Sequence, residues 1–179
     1  PGARILQSTK NASHIIADVF IAKKKFIQEN KEKLQKLYTG WMIGSAEINL
    51  DEANKVKASK ILAEGLNQPE DFCLDAINNV RLASHGDNLD FYGLNRDYTG
   101  VTGEELYNKM KIKYDAIGYK TANVRSWRLI AADIVNNVTL EGDQHKSEGI
   151  KEFDATNKDD VNAEALSSKR VTISFRSGE

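Results

Sequence analysis

The eight residues from Ile15 to Ala22 are apolar except for Asp18, and four of them are β-branched. A run of that length and composition predicts a strand buried on both faces, and therefore a sheet to hold it. A shorter strand, Ala3 to Gln7, is expected before it. Between the two, Ser8, Thr9, Asn11 and Ser13 crowd into six residues. Two readings of that turn stand side by side. It is an uncharged set of hydroxyl, amide and backbone donors able to hold a small anion or polar ligand, or it is an ordinary polar loop. His14 either adds a donor to the set or is a partly buried histidine bonded to backbone.

The bulk numbers bound the rest. A chain of 179 residues suits one domain, or one domain with a tail. Its 40% apolar and 28% charged residues are ordinary globular values. A net charge of -1 gives no basic excess to displace counterions, which argues against a nucleic-acid partner. No apolar run reaches membrane-spanning length. The single Cys73 excludes an internal disulfide, which suits the cytoplasm and a bacterial periplasm alike. The chain starts on Pro1 and ends on the strand-like Val171 to Phe175 with a turn signal after it. A terminal strand needs a partner, so a processed or excised piece of a longer protein is expected.

Helices are expected through the middle. Leu34, Leu37, Tyr38, Trp41, Met42 and Ser45 recur at helical spacing and predict a core face that includes Trp41. Gly40 and Gly44 on the same segment would admit a closely packed neighbour. Three capping boxes are read as helix starts: Asn49 with Glu52, Asn67 with Glu70, and Thr102 with Glu105. They introduce apolar sets at Ala58, Ile61, Leu62 and Leu66, at Phe72, Cys73, Ala76, Ile77 and Val80, and at Leu106, Met110, Tyr114 and Ile117. Gly118 is expected to stop the last of these. Cys73 lies on an apolar stripe and reads as packing rather than as a nucleophile. The Lys23-Lys24-Lys25 trio reads as a solvated helix start.

Ser84 to Gly100 is too long and turn-rich for a simple connector, and its interleaved aromatics predict an ordered loop with its own packing. A further helix is expected from Ala122 to about Asn136. From Glu141 to Glu164 eight acidic residues accompany three lysines, the composition of a linker or weakly ordered tail.

Catalytic signatures do not stand out. His14, His85 and His145 are far apart, and none has metal-ligand spacing to another His or to Cys73. No GxGxxG, phosphate-binding loop or GxSxG occurs. Arg125 and Arg128 beside Trp127 either flank a cleft or form the polar face of a helix. No catalytic residue, metal or cofactor is expected.

The opening run Pro1 to Ala22 resembles the later part of ABC-transporter substrate-binding proteins of the nitrate/sulfonate/taurine type, where a strand of the second lobe returns through a hinge to the first. Lys24 to Trp41, with its Tyr38-Thr39-Gly40-Trp41 segment, is similar to the helix that follows. Leu66-Asn67-Gln68-Pro69-Glu70-Asp71-Phe72, and Gly86-Asp87-Asn88 through Tyr98-Thr99-Gly100-Val101-Thr102-Gly103, resemble a subgroup fused to an OmpA-like domain. The tail Ser168 to Gly178 is similar to the first strand of such a domain.

This resemblance implies an α/β protein: the predominantly helical C-terminal portion of a type II periplasmic-binding-protein fold, with a few strands. It implies a partial binding domain over 1–140, an acidic linker over 141–166, and the first strand of a truncated OmpA-like domain over 167–179. The implied function is capture of a small polar or anionic solute for an ABC transporter, in the periplasm or cell envelope, with Ser8, Thr9, Asn11 and Ser13 as ligand contacts. The implied partners are the solute, an upstream half of the same protein or a second copy, a membrane permease, and peptidoglycan through the missing OmpA-like part. The alternatives are a non-catalytic cell-envelope interaction or scaffold module, or an enzyme of the pyrimidine-precursor branch of the same superfamily. That branch would need a His- and Cys-rich site, which one Cys and three scattered His do not provide.

Overall fold

The computed structural model describes residues 18–122 and 131–147. By packing, the chain separates into two units, one of them Val19–Gly149, and every described residue except Asp18 belongs to it. Among the described residues the regular structure is helical: α1 (Lys24–Glu29), α2 (Lys31–Leu50), α3 (Glu52–Leu66), α4 (Glu70–Asn78), α5 (His85–Phe91), α6 (Gly103–Ala116), α7 (Ala132–Asn136) and a 3-10 turn, Asp143–His145.

No strand occurs among the described residues, so the α/β expectation is corrected to a helical domain, and a type II periplasmic-binding fold is not shown. Asp18 to Ala22, the described part of the expected strand Ile15 to Ala22, has no regular structure, and Ile15 to Ala17 lie outside the described residues. Val19, Phe20 and Ile21 are 60%, 74% and 89% exposed. The cause is physical. A strand exists only when another edge takes up its N–H and C=O groups, and β-branched composition supplies no such edge.

The long helix α2 organises the unit. Leu34, Tyr38, Met42, Ser45 and Ala46 recur at three- and four-residue spacing and form its inward face. It packs against α1, α3, α7 and the 3-10 turn, while α3 packs along α4 and α5 meets α7. Trp41, expected in the core, is 52% exposed and meets the Phe20 ring edge-on at 4.8 Å. Gly40 and Gly44 have no described neighbour where a Cβ would project, so they mark no close helix crossing there. Cys73 is buried on α4, in keeping with a packing role.

The helix ends follow one of the three capping signals and depart from the other two. Thr102 caps α6 by accepting from the Glu105 N–H, and the Glu105 carboxylate accepts from the Thr102 N–H, a reciprocal capping box. Gly118, at φ 93°, follows the last turn of α6 as expected. The two Asn boxes are corrected. α2 runs through Asn49 to Leu50, and Asp51 is the residue that caps α3. Asn67 instead ends α3 in the left-handed conformation, φ 51°, and Pro69 precedes α4. Asparagine suits either helix end, because its short amide also stabilises left-handed backbone.

Candidate functional site

The polar groups of the unit converge where α5 begins. In place of the ordered loop expected from Ser84 to Gly100, Ser84 caps the helix α5. Its hydroxyl accepts from the Asp87 N–H at 3.0 Å, and the Asp87 carboxylate accepts from the Ser84 N–H at 2.9 Å. The Ser84-x-x-Asp87 spacing carried that signal in the sequence. Asp87 is 2% exposed and also accepts from Arg81, at 3.0 and 3.1 Å, and from the Ser147 hydroxyl at 3.0 Å. These donors satisfy the buried carboxylate within the unit.

His85 is the centre of the junction and is 4% exposed. Its Nδ1 lies 2.8 Å from the Tyr38 hydroxyl of α2, a bond that ties α2 to the start of α5. Burial pushes the His85 pKa down. The nearby Val138 backbone opposes that shift, and His145 adds to it. Burial also raises the Tyr38 phenol, with Tyr92 contributing, and raises Tyr92 itself.

A crevice of about 530 Å3 opens beside the junction, with His85, Leu89, Asp90 and Asn95 on one side and Leu140 and His145 on the other. Asp90 is 4% exposed and accepts from the Asn95 amide at 2.8 Å. His145 is 8% exposed, and its Nδ1 is buried without a hydrogen-bond partner.

Chemically, these groups hold structure. The His85 Nδ1 is engaged by the Tyr38 hydroxyl. The Ser84 hydroxyl caps α5 and donates to the Lys146 carbonyl, and that of Ser147 donates to Asp87, so neither is set up as a nucleophile. Among the described residues, no group of three or more His, Cys, Asp or Glu could hold a metal ion.

Ser8, Thr9, Asn11 and Ser13, the expected ligand contacts, lie outside the described residues, as do His14, Arg125, Trp127 and Arg128. Of the expected acidic linker, 141–166, only residues 141–147 are described. Asp143–His145 form a 3-10 turn, and His145 is buried against α5 rather than solvated. Comparison with family models, with curated proteins and with solved structures gives no match for this chain.

Proposed function

We propose that this chain acts by binding, as a helical part of a bacterial cell-envelope receptor that captures a small polar or anionic solute and passes it to an ABC transporter. Its sequence motifs resemble that class. The observation that carries the binding side is an imbalance of apolar surface. Among the described residues five apolar side chains are buried, whereas eighteen large apolar ones are at least 38% exposed. Single exposed apolar residues are normal on any protein, but grouped ones mark contact surfaces. Here Leu37 and Trp41 lie one turn apart on α2 with Phe20 against Trp41, and Leu62 and Leu66 lie one turn apart on α3. The partner assigned to these faces is the rest of the receptor, through apolar packing. Solute contact is assigned to the donors of Ser8, Thr9, Asn11 and Ser13.

A second reading, an envelope scaffold module that takes no solute, is favoured by the hydroxyls and imidazole around α5, which are engaged in bonds within the unit.

Titration calorimetry with nitrate, sulfate and taurine, on the protein isolated from its native envelope, separates the two. Solute capture predicts saturable heat with at least one of them. Thr9→Ala should then weaken binding by about 1–3 kcal/mol, roughly 5- to 150-fold in Kd. Absence of heat with all three rejects capture of these solutes and favours the scaffold reading.

A further inference from the structure

The crevice between α5 and residues 140–147 holds acceptors that the unit leaves unused. Asp90 lines it and is 4% exposed. Its Oδ1 takes the Asn95 amide at 2.8 Å, and among the described residues no other donor meets this carboxylate. His145 lines the other wall and is 8% exposed, and its Nδ1 is buried with no partner among the described residues. With the ring hydrogen on Nε2, that Nδ1 is an acceptor. Protein interiors ordinarily pair such groups, because an acceptor taken out of water without a donor is costly.

The charge of the walls selects what can supply the donors. Glu141 adds a second, exposed carboxylate to the lining. Lys146, also on the wall, is committed to Asp143 at 2.6 Å. Carboxylates facing one crevice repel an anion and attract a cation. The described residues offer no set of three ligands for a metal ion, which leaves an organic cation. Leu89 and Leu140 give the same space apolar walls, and its volume of about 530 Å3 lies in the range of small-molecule sites.

We propose that this crevice binds a small organic ammonium ion. Its N–H groups meet Asp90 and the His145 Nδ1, Glu141 adds attraction at the rim, and the alkyl part lies against Leu89 and Leu140. An ammonium carries three donors and no acceptor, which suits unpaired groups that are all acceptors. Its bond to a carboxylate is charge-assisted on both sides and so among the stronger hydrogen bonds. The site is distinct from the one assigned to Ser8, Thr9, Asn11 and Ser13, and the inference does not rest on that assignment.

The test is NMR titration of the full, 15N-labelled chain at pH 7 with n-butylammonium, n-butanol and butyrate, three probes that differ in charge on a similar alkyl chain. Butylammonium should give saturable shifts of the Leu89, Asp90, Leu140 and His145 amides, and the neutral and anionic probes should not. Asp90→Asn removes the charge and keeps an oxygen for Asn95. It should weaken butylammonium binding about tenfold or more, the scale of a lost hydrogen bond between charged groups. Should that variant not fold, Glu141→Gln, at an exposed position, takes its place with an expected weakening of about two- to fivefold. Absence of saturation with butylammonium overturns the proposal. So does an equal response to butanol, a set of shifts centred outside the crevice, or wild-type affinity in the folded variant.

Discussion

The Tyr38 hydroxyl and His85 Nδ1 stand 2.8 Å apart although 47 positions separate them in the chain, and this contact joins α2 to the start of α5. Their rings also meet edge-on, 5.7 Å between centroids. Tyr38→Phe keeps the ring contact and removes only the hydroxyl, leaving the buried His85 Nδ1 unpaired. The expected cost is about 1–3 kcal/mol, read as a lower urea midpoint at unchanged slope. An unaltered midpoint would show that the hydroxyl bond adds nothing to the junction.

Acid should weaken the whole unit in a defined window. His85 has its folded pKa below the ordinary value of 6.5. The unfolded chain therefore binds the proton first. The contribution is intact above about pH 6.5, declines as pH falls through 6.5 towards the folded value, and levels off below it, with a slope of at most about 1.4 kcal/mol per pH unit. The lowered carboxylates act elsewhere. Glu105 is held down by its bonds to Thr102, Asp133 by Lys31 and Asp143 by Lys146, and their losses begin only below their ordinary values of 4.5, 3.8 and 3.8. Melting temperature measured from pH 8 to 5 should fall below 6.5, and His85→Gln should flatten the curve.

Gly86→Ala tests the docking of residues 142–147 on α5. A methyl group there meets the Ser147 nitrogen and, at 2.7 Å, the Lys146 carbonyl carbon, and backbone cannot step aside as a flexible side chain can. Overpacking of this kind costs about 1–3 kcal/mol. Exchange of the His145 and Lys146 amides should quicken in the variant, while α3 and α4, which pack on each other, should keep their protection.

The parts of this fold legible in the sequence are those set by local rules. Thr102 with Glu105 and the glycine at 118 fixed the ends of α6 from nearby residues alone, and the spacing of Leu34, Tyr38, Met42 and Ser45 marked the inward face of α2. What failed depended on neighbours. Ile15 to Ala22 looked like a buried strand because its side chains are apolar, yet burial and pairing are supplied by other segments, and its described residues are exposed coil. Trp41 failed similarly: helical spacing places it beside the core face, and only packing decides that it stays outside. Acidic composition gives no sign of the 3-10 turn Asp143–His145, whose following residues meet Ser84, Gly86 and Asp87 at the start of α5 across more than 50 positions of chain. Nothing in the spacing of His85 and His145 indicated that the two rings share a junction.

The claim that this unit presents its apolar faces to further protein is tested most directly by sedimentation equilibrium of the purified chain alongside binding of an apolar fluorescent dye. With Phe20, Trp41, Ile61 and Leu66 exposed, strong dye binding and concentration-dependent association are expected, both reduced by Trp41→Glu. A strictly monomeric chain that binds no dye at any concentration would contradict it.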